Sequence, residues 1–183
     1  MTQLHSTAQR KDIAVQTSRR RFPRFLAGSL LAAATPLAFG QSASTTFDVT
    51  LTITAACTID APAATDVAFG SQPSSATNID AAGQLNVNCT PGTGYAIALS
   101  PGLNAGGGGI AARAMASPDG TLVPYQLYQD PARSTVWGET PGTDTVAGTG
   151  SGAVQTVPVY GRVPSANFPA ATYTDTVTAT ITY

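Results

Sequence analysis

Strict alternation of apolar and polar side chains marks both ends of the chain that follows residue 40. Every second residue is apolar in residues 46–55, namely Phe47, Val49, Leu51, Ile53 and Ala55, and threonine fills most positions between them. The same pattern runs through residues 172–183, where threonines alternate with Tyr173, Val177, Ala179, Ile181 and Tyr183. A period of two places one set of side chains toward a core and the other toward water, as in a half-buried strand. Both ends are therefore predicted to form β-strands.

Further strands are predicted at residues 66–70, 84–89, 95–100, 122–129, 135–138 and 154–163, and no window shows a helical period. Segments rich in glycine and proline separate these runs, which predicts an all-β sandwich in one domain. Glycine-rich segments such as 106–109 and 148–152 also resemble phosphate-binding loops. Because a P-loop requires a lysine, and no lysine follows residue 40, we interpret them as hairpin loops.

Residues 1–40 are predicted to be a signal peptide that is removed after Gly40. Four arginines between residues 19 and 24 precede an apolar stretch at 26–39, and small residues occupy positions 38 and 40. The alternative is a membrane anchor, but a stretch interrupted by Gly28 and Pro36 is short for a bilayer core of about 30 Å. Residues 18–22 also resemble a twin-arginine signal, which leaves the export route open.

The charge of the chain after residue 40 excludes several classes of function. It has three arginines, no lysine and nine acidic residues, so it lacks the cations that nucleic-acid binding requires. The only histidine, His5, lies in the predicted signal peptide. Ser-His-Asp catalysis, Cys-His catalysis and the usual zinc sites are thus excluded within one mature chain. We expect no catalytic residue, no bound metal and no cofactor.

One acidic region keeps an enzyme hypothesis open. Asp119, Asp130, Glu139 and Asp144 are the only closely spaced acids, and a glycosidase uses a pair of carboxyl groups. They lie among turn residues, where acids are commonly solvated. We therefore expect a protein that is not an enzyme.

Two cysteines and one tryptophan remain to be assigned. Cys57 and Cys89 form an even count in an exported chain, which favours a structural disulfide. A reactive thiol pair would require close spacing or a neighbouring cation, and neither is present. Trp137 is interpreted as a core residue, with a surface-binding role as the alternative.

The segment at residues 46–55 has two interpretations that its composition does not separate. It is either the first strand of a complete sandwich or a mobile strand that completes a neighbouring molecule. Both interpretations bury the same apolar face.

Five sequence blocks resemble the spore coat protein U domain, a family that includes pilin subunits of archaic chaperone-usher pili. The blocks are residues 46–54 followed by Cys57, residues 125–133, residues 137–138, residues 157–164 and the ending at 173–183. The resemblance implies an incomplete immunoglobulin-like β-sandwich that lacks its last strand. It also implies secretion through a periplasmic chaperone and an outer-membrane usher, with polymerisation by donor-strand exchange.

Carried over to this chain, the resemblance makes residues 41–55 a donor-strand segment and residues 56–183 the pilin domain. It implies that Phe47, Val49, Leu51 and Ile53 fill the groove of the next subunit. It also implies that Val177, Ala179, Ile181 and Tyr183 form the final strand, which borders the groove and pairs with the chaperone.

The function expected from the resemblance is that of a structural pilin subunit in an extracellular fibre for surface adhesion and biofilm formation. Its expected partners are copies of itself or related pilins, a chaperone and an usher. A spore or cell-coat protein and a pilus tip subunit are the alternatives.

Overall fold

The computed structural model describes residues 40–59 and 65–183. Apart from Gly40, the predicted signal peptide lies outside the described residues. The chain divides into two units, Met1–Asp48 and Val49–Tyr183, and the strands found in the described residues all belong to the second. Among the described residues, no helix is both long and apolar enough to cross a membrane.

The second unit is all-β. Its strands are β1 (Cys57–Ile59), β2 (Thr77–Cys89), β3 (Gly94–Leu99), β4 (Ala114–Ala116), β5 (Leu122–Pro124), β6 (Gln126–Tyr128), β7 (Val146–Thr149), β8 (Gln155–Ser165) and β9 (Ala179–Thr182). One sheet has the order β1-β2-β8-β6, a second has the order β7-β3-β9, and β4 pairs with β5 as a hairpin. A 3₁₀ helix at Gly109–Ala112 precedes β4.

The two larger sheets pack face to face around one apolar core. Val87 and Val159 come from the first sheet and Ile97 from the second, and all three are buried. Trp137 is fully buried among them, and its Nε1 donates a hydrogen bond to the carbonyl oxygen of Ile97 at 2.8 Å. The interpretation of Trp137 as a core residue is confirmed.

Arg113 is a buried cation that joins several backbone segments. Its guanidinium donates hydrogen bonds to the carbonyl oxygens of Leu99, Ser100 and Trp137 and to Gln126 Oε1, at 2.8–3.1 Å. Burial lowers the pKa of the Arg113 guanidinium, and nearby acidic groups partly offset this effect. Hydrogen bonds to carbonyl oxygens of separate segments thus compensate for burying the charge of Arg113 in the core.

The two alternating segments form less strand than the sequence predicts. Residues 46–55 have no strand, because a strand requires a neighbour to pair with its backbone groups. In residues 172–183 only β9 is a strand, with an isolated bridge between Thr174 and Ala116. Regular pairing of β9 with β3 ends at Leu99 and Ala179, and one further backbone hydrogen bond follows, from Ser100 N to the carbonyl oxygen of Thr178.

Three other predicted strands also differ from the structure. The run at 122–129 divides at Tyr125, so that β5 pairs with β4 and β6 pairs with β8. The run at 66–70 has only the adjacent bridge from Thr65 to Gln84, and 135–138 has only the bridge from Val136 to Tyr128. The predictions at 84–89, 95–100 and 154–163 correspond to β2, β3 and β8, although β2 begins at Thr77.

Candidate functional site

An open groove exposes the core along one side of the sandwich. It lies between residues 65–69, here called the first edge, and residues 173–179, here called the second edge. Two adjoining cavities of about 700 and 420 Å³ form it, and both contact Val67, Phe69, Met115 and Tyr173. The floor consists of core side chains from both sheets and from the hairpin, namely Leu85, Leu99, Val123, Leu127, Val159 and Val163. The floor of the groove is thus apolar.

Two glycines allow the first edge to lie close to the first sheet. A Cβ atom at Gly161 would be 2.6 Å from Val67 Cγ1 and 2.9 Å from Phe69 Cζ. A Cβ atom at Gly83 would overlap the carbonyl oxygen of Thr65. Because no larger residue fits beneath this edge, Gly83 and Gly161 set the depth of the groove.

Asp175 fixes the second edge to the rest of the sandwich. Its carboxylate accepts hydrogen bonds from the Tyr125 hydroxyl at 2.7 Å and from Leu103 N and Asn104 Nδ2, both at 2.9 Å. Thr174, the residue before Asp175, exchanges backbone hydrogen bonds with Ala116. Sequence reasoning missed Asp175, although this acid occupies an inward position of the alternating pattern between Tyr173 and Val177.

The backbone of the second edge offers hydrogen-bonding groups to the groove. Ser100 N donates to the carbonyl oxygen of Thr178, and Thr178 N donates to Ser100 Oγ, both at 2.9 Å. Backbone groups of successive residues in a strand point to opposite sides. The backbone groups of Val177 and Ala179 therefore point toward the groove, as expected of an edge strand that accepts another strand.

The groove is closed at the end near the disulfide. Cys57 and Cys89 are bonded with an S–S distance of 2.03 Å, which confirms the predicted bridge. Here β1 and β9 approach each other with Cα atoms within 8 Å. An inserted strand would require about 9.6 Å between its two neighbours, twice the usual strand spacing. The groove therefore begins beyond β1.

The predicted donor residues are fully available to a partner. The exposed fractions of Phe47, Val49, Leu51 and Ile53 are between 76% and 87%, and residues 40–56 have no secondary structure. Large apolar side chains exposed in a row are typical of an interaction segment. Their role as a donor strand stays a prediction.

The structure divides the four predicted residues of the final strand into two groups. Val177 and Ala179 line the groove. Ile181 lies in β9 and packs against the core, and Tyr183 is exposed, so neither contributes to the lining. Their pairing with a chaperone stays a prediction.

Three of the four acids of the enzyme hypothesis, Asp119, Asp130 and Asp144, accept hydrogen bonds within separate turns. Hydrogen bonds from Ser117 to Asp119 and from Thr135 N to Asp130 lower the pKa of each carboxyl group. Asp144 accepts from Thr140 N, and Glu139 is exposed. A general acid requires a raised pKa, and these hydrogen bonds have the opposite effect. In the part of the chain that the structure describes, no three His, Cys, Asp or Glu residues form a metal site.

Comparison with known proteins gives a family match over most of the chain. The model of the Spore Coat Protein U domain matches residues 43–180. Protein U of Myxococcus xanthus is 42% identical over 108 residues, which are 55% of this chain and 59% of that protein. The chain thus spans less than two thirds of the length of this curated relative.

A solved structure has the same fold. It is the crystal structure of a pre-assembly complex of a chaperone and a tip adhesion subunit, from archaic chaperone-usher Csu pili of Acinetobacter baumannii. The TM-score is 0.53 and the identity is 22%, over 72% of this chain and 41% of the matched chain. The all-β architecture is accordingly an immunoglobulin-like β-sandwich, as predicted.

Proposed function

The chain belongs to the Spore Coat Protein U domain family, and from this premise we propose that it is a structural subunit of a chaperone-usher pilus. Subunits join when residues 46–54 of one copy enter the groove of another and act as its missing strand. The observation that carries this proposal is that one chain exposes two complementary apolar surfaces. One is an apolar groove with an unpaired edge, and the other is an exposed apolar segment.

The family is structural rather than enzymatic, and this chain is not an enzyme. The structural match to a chaperone-subunit complex supports a periplasmic chaperone as a partner. An unpaired strand edge beside an apolar groove promotes aggregation, so a subunit of this kind requires temporary cover before assembly. The second edge, with Val177 and Ala179, is where the chaperone and later the donor strand would pair.

Burial of the donor side chains supplies the driving force. Phe47, Val49, Leu51 and Ile53 together would contribute about 6–12 kcal/mol, an upper value before the cost of ordering the segment. Backbone hydrogen bonds with the second edge would add to this. The subunits would pass through the periplasm, and the fibre would leave through an outer-membrane usher and serve in surface adhesion and biofilm formation.

A second candidate function is a structural protein of a spore or cell coat. The 42% identity with Protein U of Myxococcus xanthus, together with membership of the Spore Coat Protein U domain family, favours it. Electron microscopy of cells with and without the protein distinguishes the two candidates, since one predicts thin fibres and the other a continuous surface layer.

A matched pair of substitutions tests the donor role. Leu51→Asp places a charge on the apolar face, where burial without a partner costs several kcal/mol. Thr50→Asp places the same charge on the opposite face of the segment. We expect Leu51→Asp to abolish the ladder of multimers seen in unheated detergent gels and Thr50→Asp to preserve it. Equal effects would contradict the donor role.

A further inference from the structure

Met115 is the only methionine of the chain besides Met1, and it lies in the groove. We propose that its thioether is a modification site, where a peroxide converts the side chain to the sulfoxide and so prevents the subunit from accepting a donor strand. The inference rests on the proposed function and adds a chemical control of the same groove. The deciding feature is the place of the thioether in the fold.

Met115 lies where the two cavities of the groove adjoin. It lines both of them, and it is partly exposed although it packs against the core. Within the hairpin it pairs with Val123. The next residue, Ala116, exchanges backbone hydrogen bonds with Thr174. Met115 is thus held beside the second edge, where a donor strand would lie.

The state of the groove decides whether an oxidant reaches this side chain. Cavities of about 700 and 420 Å³ easily admit a peroxide, which is a small polar molecule. A bound donor strand would cover both cavities. Met115 is therefore accessible before assembly and protected after it, and oxidation acts on the unassembled subunit.

The reaction is a two-electron oxidation that requires no second residue. A sulfur lone pair of Met115 attacks one oxygen of hydrogen peroxide, so that an S–O bond forms and the O–O bond breaks. The second oxygen leaves as hydroxide and takes up the proton of the transferred oxygen, which gives water. Sulfur is oxidised and the peroxide is reduced. The flexible apolar side chain becomes a polar sulfoxide.

The new oxygen would face an apolar floor. Two tyrosines that line the groove already donate their hydroxyl hydrogens elsewhere, Tyr125 to Asp175 and Tyr173 to the carbonyl oxygen of Pro169, both at 2.7 Å. A polar oxygen buried without a donor beneath a bound strand opposes binding. We expect the dissociation constant of a donor strand to rise about tenfold or more.

Oxidation of a full-length subunit with a free groove tests this inference. Leu51→Asp, which should not join multimers, supplies that subunit, and a labelled synthetic peptide of residues 44–55 reports on its groove. Adding Met115→Leu removes the thioether at similar volume. Adding Val154→Met as well provides a methionine outside the groove, since Val154 is 47% exposed and lines neither cavity. All three proteins are treated with hydrogen peroxide, and mass spectrometry locates the added oxygen.

We expect peroxide to weaken peptide binding about tenfold or more only in the protein that retains Met115. Each protein with Met115→Leu should keep the affinity that it had before treatment, whatever that affinity is. Methionine sulfoxide reductases should restore binding to the oxidised protein. In multimers of a chain that carries only Val154→Met, the introduced methionine should be oxidised faster than Met115.

Three results would overturn the inference while the donor role stands. They are full conversion of Met115 with unchanged peptide affinity, an equal loss of affinity in all three proteins, and a Met115 that stays reduced while the introduced methionine is oxidised. If none of the untreated proteins binds the peptide, the donor role itself is wrong, and the inference is wrong with it.

Discussion

The Tyr125 hydroxyl donates a 2.7 Å hydrogen bond to Asp175 Oδ2 and so connects the point where the chain changes sheets with the second edge of the groove. Tyr125 lies between β5, which pairs with β4, and β6, which pairs with β8. Burial raises the pKa of the Tyr125 hydroxyl above its usual range, and the hydrogen bond to Asp175 adds to this effect. The phenol therefore remains a donor, and the second edge of the groove is held in place before a donor strand binds.

Asp175→Ala should destabilise the subunit and weaken the capture of a donor strand. The change leaves the hydroxyl of the buried Tyr125 and Leu103 N without their acceptor, which costs about 1–3 kcal/mol. Thr176→Ala is the matched control, because Thr176 is exposed on the same segment. Denaturant midpoints and the binding of a labelled synthetic peptide of residues 44–55 check both effects. Unchanged peptide binding would show that Asp175 does not position the second edge.

Gly161→Ala should displace the first edge. The added methyl would be 2.6 Å from Val67 Cγ1, and overpacking of this kind costs about 1–3 kcal/mol. Gly94→Ala provides the control, since a Cβ atom there meets nothing within 4 Å. Thermal unfolding and multimer yield are the measurements. Similar losses in the two variants would mean that space beneath the first edge is not the limiting factor.

Removal of the disulfide by the double change Cys57→Ser and Cys89→Ser should lower the stability by about 3–4 kcal/mol, as estimated for a loop of this length. Urea unfolding measures the loss. Mass measurement of the exported protein with and without reductant should show a difference of two hydrogens. Two cysteines that react with an alkylating reagent in the native protein would contradict the bridge.

Arg113→Met should be among the most damaging single changes. The side chain is 1% exposed, and several carbonyl oxygens would lose their donor in the core, costing about 3 kcal/mol or more. Arg162→Met, which breaks a surface ion pair with Asp80, should cost only about 0–1 kcal/mol. Chemical denaturation compares the two variants, and equal losses would refute the structural role of Arg113.

Acid should destabilise the folded subunit. The hydrogen bond from Arg162 lowers the pKa of Asp80, and hydrogen bonds from turn residues lower the pKa values of Asp119 and Asp130. A carboxyl group with a lowered folded pKa contributes stability above its unfolded pKa, about 3.9. That stability is lost as the pH falls through the folded pKa. When melting temperatures are measured from pH 7 to pH 2, we expect them to decrease once the pH is below about 4. Asp80→Asn should make this decrease smaller.

The alternation of apolar and polar residues in the sequence identifies only those strands that are long enough to show it. Val87, Ile97 and Val159 are inward residues of β2, β3 and β8, and all three are buried as their alternation predicts. The strands β1, β4 and β7 have only three or four residues each. Such short strands exist because a neighbouring strand pairs with them, and for β1 and β7 that neighbour is distant in sequence.

The groove was predictable in outline from the family resemblance, but its detailed support was not. Val177 and Ala179 occupy inward positions of the final alternating run and line the groove. Asp175 shares their inward register, and an acid in that register indicates a buried partner. Its partner Tyr125 is 50 residues away, at a division between two strands that no local pattern marks.

The position of the disulfide has a mechanical consequence for a fibre joined through residues 46–54. Tension along the fibre would enter each subunit just before Cys57, at a strand of only three residues. The bond to Cys89 passes that load covalently to β2, which has 13 residues and pairs with β8 along most of its length. The force that a subunit withstands would then depend on shearing β2 from β8, because the short strand β1 cannot be peeled away first.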